Sequence, residues 1–333
     1  MNTTPVLRPN DVGLILSYQC NSNCAHCIYN CGPRWKDWAD EETVRAALEA
    51  MQVWQPGFQV HITGGEPFLR FPLLLHAVNT ACELGITVYL ETNASWAVRE
   101  ELVVRQLRAL HQAGLAAVLI SCSPFHAESI PPERTMRLIS NAIEIFGMQR
   151  VIVYQSQWLE QIRYFGDHET TPLARYVEVF GAQAAGSMFW QGYGLMAGGR
   201  SAYRLGHLAR GRAPEAFQVQ SCGWEILHAL HSHLDLYGNF IPGFCGGLSL
   251  GDWHDLPELR EKFASETYPP LLSRLIEGGS YGLYVWARDE FGYQPLLEGY
   301  VDKCHLCVDV RRHLHVFGGF AALKPDEFYG EVW

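Results

Sequence analysis

The feature that most constrains the fold is a regular alternation of short apolar segments with amphipathic helical stretches between Asp11 and about Leu205. Such alternation is typical of repeated βα units around a parallel sheet. Six segments have the composition of strands: VGLILSY from Val12, FQVHIT from Phe58, ITVYLE from Ile86, LAAVLIS from Leu115, RVIVYQ from Arg150 and SMFWQGYG from Ser187. Six units are too few for the closed eight-stranded barrel, so the sequence predicts an α/β fold with a partial (β/α)6 TIM-like barrel.

The βα pattern stops after about Leu205, and the polar connection HLARGRAPEAFQ leads into a smaller region. This region contains a predicted hairpin around DLYGNF (residues 235–240), in which Gly238 supplies the turn. Helical segments are predicted near DLPELREKF and CVDVRRHL. We therefore expect two domains, residues 1–205 and residues 206–333.

Composition excludes several classes of function. The net charge of -10, without long runs of one sign, provides no basic surface for nucleic acid. The N-terminus MNTTPVLRPNDVG lacks the features of a signal peptide, and no stretch reaches the roughly 18 apolar residues of a membrane span. We expect a cytoplasmic protein with no nucleic-acid or membrane partner, whose ten cysteines are reduced thiols that act as ligands or reactants.

Four cysteines lie within fourteen residues, in QCNSNCAHCIYNCG, directly after the first predicted strand. Cys20, Cys24 and Cys27 form CxxxCxxC, which leaves one iron of a four-iron cluster without a protein ligand and open to a small molecule. The alternative is a zinc site with His26 or Cys31 as the fourth ligand. The position favours the iron–sulfur cluster, because parallel α/β folds carry their chemistry at the carboxyl ends of strands.

Two further motifs follow the next predicted strands: TGGEP at residues 63–67 and ETN at residues 91–93. Together with CxxxCxxC they resemble the radical SAM superfamily over roughly the first two thirds of the chain. The resemblance implies that the three cysteines bind a 4Fe-4S cluster, which in turn binds S-adenosyl-L-methionine (SAM). It further implies reductive cleavage of SAM to a 5′-deoxyadenosyl radical that abstracts a substrate hydrogen, and a low-potential electron donor such as ferredoxin or flavodoxin.

The resemblance also indicates which residues contact SAM. They are Gly64, Gly65, Glu66, Asn93, Ser121 and Arg200. Glu66 can accept hydrogen bonds from the SAM ammonium, the two glycines let the backbone approach closely, and the asparagine and serine are placed for the ribose or carboxylate. Arg200 lies in GGRSA, which resembles the family's GRA-like segment and suggests a contact with the SAM carboxylate; the alternative is a solvated surface arginine.

A second group of cysteines lies in the smaller region: Cys222, Cys245, Cys304 and Cys307. Zinc would accept the same ligands. Next to a radical SAM core, the group resembles the auxiliary-cluster domain called Twitch, which is related to SPASM, and this implies a second 4Fe-4S cluster. Either all four cysteines bind that cluster, or Glu225 replaces Cys245, which then donates a hydrogen atom to the substrate from its glycine-rich segment PGFCGG.

The subfamily resemblance is to the radical SAM epimerases of ribosomally made peptides. It rests on Cys31 in CIYNC, on TNASW at residues 92–96, and on the His-Ala pair at His126. It implies a peptide substrate, from which a Cα hydrogen is abstracted and to which a thiol returns hydrogen, leaving a D-residue. Two positions differ, because such enzymes carry adjacent cysteines where this chain has only Cys245, and an acidic residue where it has Ser123.

Two other functions compete with peptide epimerisation. One is radical oxidation or crosslinking of a peptide or small molecule, with the auxiliary cluster as electron acceptor. The other is a non-catalytic iron–sulfur or zinc protein. The TGGEP motif argues against the second, since such a protein needs no acceptor for a SAM ammonium.

Overall fold

In the computed structural model, which describes residues 6–330, the chain divides into two units. We call residues 11–24 and 31–181 the sheet unit. We call residues 1–10, 25–30 and 182–333 the hairpin unit, of which residues 1–5 and 331–333 lie outside the described range. The division into two domains at residues 1–205 and 206–333 remains a prediction.

The sheet unit is built on five parallel strands in the order β5-β4-β3-β2-β1. The strands are β1 (Asp11–Ile15), β2 (Gln59–Thr63), β3 (Thr87–Thr92), β4 (Ala117–Ser121) and β5 (Val151–Tyr154). The helices are α1 (Glu41–Trp54), α2 (Phe71–Glu83), α3 (Glu100–Gln112), α4 (Pro124–Ala127), α5 (Pro132–Phe146), α6 (Trp158–Tyr164) and α7 (Leu173–Phe180). The predicted α/β class and the first five strands are confirmed.

The two faces of this sheet differ in polarity. One face is apolar and fully buried, and its side chains are Val12, Leu14, Val60, Ile62, Val88, Leu90, Val118 and Ile120. The alternate residues of β2 and β3 point to the other face and are mostly polar: Gln59, His61, Thr63, Thr87, Tyr89 and Glu91. We call this second set the polar face. Burial of the apolar face is the main source of stability for the sheet.

Three of the helices are followed by a glycine with left-handed backbone. Gly85, Gly114 and Gly147 follow α2, α3 and α5 with φ of 71°, 98° and 84°. A side chain would strain these conformations, which glycine adopts readily. Each glycine therefore redirects the chain from a helix toward the next strand.

The hairpin unit contains the predicted hairpin, formed by β6 (His231–Asp235) and β7 (Phe240–Pro242). Gly238 makes the turn with φ of 91°, and the Asp235 carboxylate accepts hydrogen bonds from the backbone N–H groups of Tyr237 and Asn239. The helices are α8 (Ala182–Ser187), α9 (Arg200–Leu205), α10 (Gly223–Leu227), α11 (Leu256–Ala264), α12 (Pro270–Phe291), α13 (Lys303–Phe317) and α14 (Asp326–Tyr329). The predicted helices near residues 255 and 307 correspond to α11 and α13.

The sixth strand, predicted from Ser187, is wrong. Residues 182–192 are helical, with α8 followed directly by a wider helical turn at Met188–Gly192. Ala185 and Phe189, four residues apart, are fully buried on one helical face. Short apolar runs are ambiguous between strand and helix, and here the alanines before SMFW favour the helix.

No helix among residues 6–330 is both long and apolar enough to span a membrane.

Candidate active site

The TGGEP segment packs its backbone directly against the residues that precede Cys20. Gly65 N–H donates to the Ser17 carbonyl at 2.8 Å, and Glu66 N–H donates to the Gln19 carbonyl at 3.0 Å. A Cβ at Gly65 would lie 1.8 Å from the Gln19 carbonyl oxygen, and Gly64 has φ of 117°. The two glycines therefore allow close approach, as predicted, but between two parts of the chain itself. Their contact fixes where the cysteine loop (residues 20–31) begins.

Glu66 is buried, with 1% of its surface exposed. Its Oε1 accepts hydrogen bonds from Phe68 N–H at 3.1 Å and Thr92 Oγ1 at 2.9 Å, and its Oε2 accepts one from Asn93 N–H at 2.8 Å. Burial raises the pKa of Glu66 to about 7, although these three donors lower it. A carboxylate offers about four acceptor positions, so one position remains, on Oε2.

Asn93 connects this carboxylate to the first cysteine. Its side-chain Nδ2 donates to Cys20 Sγ at 3.4 Å and to Asn21 Oδ1 at 3.2 Å, while Ser22 N–H also donates to Cys20 Sγ at 3.4 Å. Ser95 Oγ donates to Asn21 Oδ1 at 3.1 Å. Hydrogen bonds to cysteine sulfur stabilise the thiolate form that iron requires. The sequence analysis missed Asn21, for which only its position next to Cys20 gave a signal.

The other cysteines of the loop differ in their surroundings. Cys24 is buried and Cys27 half-buried. Cys31 is also buried, and its thiol donates to the Gly64 carbonyl at 3.3 Å. Cys31 therefore supports the glycine segment, which is a structural role that requires no metal.

Arg200 is buried rather than solvated, with 3% of its surface exposed, so the surface alternative is wrong. Its backbone N–H donates to the Cys27 carbonyl at 3.0 Å, and its guanidinium donates to Asn30 Oδ1 at 3.1 Å. Gly199, with φ of 54°, lies so close to the same segment that a Cβ there would be 2.4 Å from the Ile28 carbonyl oxygen. Within the hairpin unit, the GGRSA segment thus packs against residues 27–30.

Ser121 ends β4 and is half-buried, opposite Tyr154 of β5. Two residues later, Ser123 caps helix α4, and its hydroxyl lies 2.6 Å from His126 Nδ1. Burial lowers the pKa of His126 to about 4, so its imidazole is neutral at neutral pH. The adjoining cavity, lined partly by Cys122, measures about 10 Å³ and is the size of one water molecule.

The polar face carries a hydrogen-bonded group that the sequence analysis missed. The Asp11 carboxylate lies 3.0 Å from His61 Nδ1 and accepts a hydrogen bond from Tyr89 at 3.0 Å. Thr63 donates to Glu91 at 2.7 Å. The strict alternation of polar residues in QVHIT and TVYLET was the available signal, since parallel strands that are apolar on both faces lack it.

The four cysteines of the second group interact within the hairpin unit. Burial raises the pKa of Cys222 to about 12 and that of Cys245 to about 11, and in both cases the neighbouring Cys307 raises it further. The pKa of Cys304 also lies well above its usual value because of burial, with contributions from Asp302 and the other three thiols. The predicted set therefore converges, and as free thiols these three would be protonated at neutral pH.

The spacing of these sulfurs differs from that of a single-metal site. Four thiolates 2.3 Å from one zinc ion stand about 3.8 Å from one another. Among residues 6–330, no three potential ligand atoms that include one of these sulfurs all lie within 4.8 Å of one another. A four-iron cluster is larger than one ion and holds its thiolates further apart.

Two basic residues accompany this group, and neither was singled out in the sequence analysis. Lys303 Nζ donates to Glu225 Oε1 at 2.6 Å and to the Ser221 carbonyl at 2.9 Å. Glu225 is thus paired with a lysine. Arg311 is buried on helix α13, where burial lowers its pKa but Tyr329, Cys307 and Cys245 raise it overall.

Comparison with known proteins identifies a family for part of the chain. Residues 14–148 match the model of the radical SAM superfamily. YydG of Bacillus subtilis (strain 168), named as a peptide biosynthesis protein, is 20% identical over 131 residues, which are 39% of this chain. The match spans only 41% of the length of that relative.

Two solved structures are similar to this chain at a low level. BtrN in complex with AdoMet and 2-DOIA is 13% identical with a TM-score of 0.42, and the match covers 82% of this chain and 89% of BtrN. Native anSMEcpe with bound AdoMet and Cp18Cys peptide is 14% identical with a TM-score of 0.45, and the match covers 96% of this chain and 93% of the other.

Proposed function

We propose that the chain is a radical SAM enzyme that modifies a ribosomally made peptide, with L-to-D epimerisation at Cα as the specific reaction. The match of residues 14–148 to the model of the radical SAM superfamily supports this proposal. The observation that carries the enzyme assignment is the buried network joining Glu66, Asn93 and Cys20. A protein that only stored or transferred electrons would not need a buried anion with an open acceptor position next to its cysteines.

Within this proposal, Cys20, Cys24 and Cys27 hold the first 4Fe-4S cluster. The amide of Asn93 and the N–H of Ser22 suit this role because they donate to the Cys20 sulfur. When bound, the cluster and SAM together supply the radical chemistry that removes a hydrogen atom from the substrate.

The chain's own contribution is to bind and orient SAM. The open acceptor position on Glu66 Oε2 suits one N–H of the SAM ammonium, and the three donors already on this carboxylate keep it fixed. Gly64 and Gly65 keep side chains away from this position. Arg200 and Ser121 are the proposed partners of the SAM carboxylate and ribose.

The second group, Cys222, Cys245, Cys304 and Cys307, is proposed to hold an auxiliary 4Fe-4S cluster. Four cysteine thiolates are the usual ligands of such a cluster, and the four thiols of this group interact electrostatically. Its half-buried thiols need a metal to become thiolates at neutral pH, because desolvation raises the pKa of Cys222 and Cys245.

A peptide substrate is supported by two observations. The relative YydG is named for peptide biosynthesis. The polar face of the sheet carries the half-buried side chains of Tyr89 and Glu91, which offer hydrogen-bond groups suited to a peptide backbone. Ferredoxin or flavodoxin is the proposed electron donor, and the cytoplasm the proposed location.

One observation favours a second candidate, oxidation or crosslinking of the peptide. Cys245 interacts with Cys307 and Cys304 in the same buried group, as a ligand would. If Cys245 binds iron, it is not free to return hydrogen to Cα, and the auxiliary cluster can instead accept an electron from the substrate.

SAM binding tests the enzyme assignment directly. We expect Glu66→Gln to keep the iron of the wild type and to lose SAM affinity by at least tenfold, measured by calorimetry on anaerobically reconstituted protein. Glu83→Gln, at an exposed carboxylate paired with Arg45, is the matched control and should bind SAM normally. Unchanged SAM affinity in Glu66→Gln would contradict the proposal and favour a non-catalytic iron or zinc protein.

The reaction type is tested in deuterium oxide, with reductant, SAM and a peptide encoded beside the gene. Epimerisation predicts 5′-deoxyadenosine and a gain of about one mass unit per event, because an exchangeable thiol returns deuterium. Oxidation predicts a loss of about two mass units. We expect Cys245→Ser to abolish the gain, and Cys82→Ser to preserve it as control. Failure to form any 5′-deoxyadenosine would contradict both reactions.

A further inference from the structure

Helix α13 carries a buried arginine on the face that presents two of the cysteines. Cys304, Cys307 and Arg311 are three and four residues apart, so their side chains follow one another along the same side of the helix. Only 3% of the Arg311 surface is exposed. A guanidinium is rarely buried this completely without a partner of opposite charge.

Arg311 makes its hydrogen bonds to the segment that contains Cys245. Its NH1 donates to the Gly246 carbonyl at 3.0 Å and to the Tyr329 hydroxyl at 2.8 Å, and the Tyr329 hydroxyl donates to the Gly247 carbonyl. Both carbonyls belong to the residues that directly follow Cys245. The guanidinium therefore connects Cys245 to the helix of Cys304 and Cys307.

The hydrogen bonds of Arg311 do not neutralise its charge. The Gly246 carbonyl and the Tyr329 hydroxyl that accept from it are neutral, and a hydrogen bond with the Cys307 side chain contributes to raising its pKa. Within residues 6–330 its Nε has no hydrogen-bond partner. Lys303, the other cation of this site, is already paired with Glu225 at 2.6 Å. Tyr329, Cys307 and Cys245 all act to raise the pKa of Arg311, and of these the two sulfurs carry negative charge once they bind iron.

We propose that Arg311 is the positioning cation of the auxiliary cluster, which holds the Cys245 segment on helix α13 and raises the reduction potential of the cluster. A fixed positive charge in a dry site favours the reduced cluster, because reduction adds one negative charge next to it. This inference rests on the proposed auxiliary cluster. The cluster is thereby tuned to accept electrons rather than to supply the low-potential electron that cleaves SAM.

The test uses the full chain with Cys20, Cys24 and Cys27 changed to Ala, so that only the second cysteine group can hold iron. Four proteins are compared after anaerobic reconstitution: this background and its Arg311→Met, Arg311→Lys and Arg312→Met derivatives. For each, the iron content is determined, and the midpoint reduction potential of the cluster is measured by a redox titration followed by electron paramagnetic resonance. Arg312 is the matched control, because it is the next residue on α13 but lies over the ring of Tyr203.

We expect Arg311→Met to lower the reduced-to-oxidised ratio at a fixed potential by about tenfold, equivalent to a midpoint about 59 mV lower for one electron. Arg311→Lys retains the charge and should stay within threefold of the background, as should Arg312→Met. If Arg311→Met does not fold by circular dichroism, Arg311→Gln replaces it, since its amide can still donate to Gly246 but carries no charge.

Two outcomes would overturn the inference, and they have different meanings. A background protein that holds no iron would refute the auxiliary cluster itself, and with it the role of Arg311. A background protein that holds four irons, but whose midpoint is the same in Arg311→Met and Arg312→Met, would refute only the role of Arg311. Loss of iron in Arg311→Met, with retention in Arg311→Lys, would support the charge as the stabilising feature.

Discussion

The two groups of cysteines differ in the ionisable residues next to them. In the sheet unit, Cys20 accepts hydrogen bonds from neutral donors, and the buried ionisable group joined to them is the carboxylate of Glu66. In the hairpin unit, the second group has the cations Arg311 and Lys303 as neighbours. A buried carboxyl group next to a ligand suits a site that admits a positively charged molecule, whereas a buried cation suits a site that keeps an anionic cluster.

The two sites also differ in what holds them together. The first depends on backbone packing at strand ends, where Gly64 and Gly65 touch the chain before Cys20. The second depends on side chains of one helix, α13, and on the hydrogen bonds of Arg311. Substitutions should therefore act through steric overlap at the first site and through charge at the second.

The largest effect on stability is expected from Gly65→Ala. The added methyl group would overlap the Gln19 carbonyl oxygen and the Cys20 nitrogen, which are backbone atoms and cannot rotate away. We expect the free energy of unfolding to fall by more than about 3 kcal/mol, measured by denaturant titration of the metal-free protein. Gly278→Ala, where nothing lies within 4 Å, is the control and should not destabilise. Equal stability of the two variants would refute backbone packing as the basis of the first site.

A pH-dependent effect is expected at Glu66. Burial raises its pKa from 4.5 to about 7, so the folded protein retains a proton that the unfolded chain releases. The stability contributed by this proton is fully present below about pH 4.5 and is lost as the pH rises through about 7, by roughly 3 kcal/mol in total. Glu66→Gln should remove this decline, whereas Glu83→Gln should retain it. A decline that persists in Glu66→Gln would assign it to another group.

A smaller effect is expected from Cys31→Ala. The substitution removes a buried thiol and its hydrogen bond to the Gly64 carbonyl, which should cost about 1 kcal/mol of unfolding free energy. Iron content should not change, whereas Cys24→Ala should lose the first cluster. Loss of iron in Cys31→Ala, measured colorimetrically after reconstitution, would instead make Cys31 a ligand.

The smallest effect is expected from Lys303→Met, at the second site. Its ion pair with Glu225 is partly exposed, with 23% and 53% of the two side chains accessible. Such pairs contribute less than about 1 kcal/mol, so thermal unfolding should hardly move. If Glu225 were a ligand of the auxiliary cluster, loss of its ion pair with Lys303 would change the electron paramagnetic resonance spectrum of the cluster. An unchanged spectrum would indicate that the four cysteines alone are the ligands.

The sequence predicted the features that depend on local pattern. The strands β1 to β5, the turn at Gly238 and helices α11 and α13 all followed from hydrophobic period and from turn residues. The prediction of a strand from Ser187 failed because the apolar run there is too short to distinguish a strand from a helix. Only the preceding alanines favour the helix.

The candidate sites were predictable only in part. The cysteines and the TGGEP motif were visible from their spacing. The burial of Arg200 and the contacts of Arg311 with Gly246 and Tyr329 were not, because they join residues far apart in sequence. An arginine in a sequence has the same appearance whether it is solvated or buried next to a cysteine.

The hydrogen bonds of the last helical turn set an order of events during synthesis. Asn30 of the cysteine loop donates to the Phe328 carbonyl, 298 residues later. Arg311 donates to the hydroxyl of Tyr329, which lies in the same turn as Phe328. At ribosomal speeds of about 5–20 residues per second, Asn30 is made roughly 15 to 60 s before its partner. The cysteines near residue 30 are therefore synthesised well before the C-terminal residues that form hydrogen bonds in this region. Iron loading should follow translation, and the thiols are most vulnerable to oxygen during that interval.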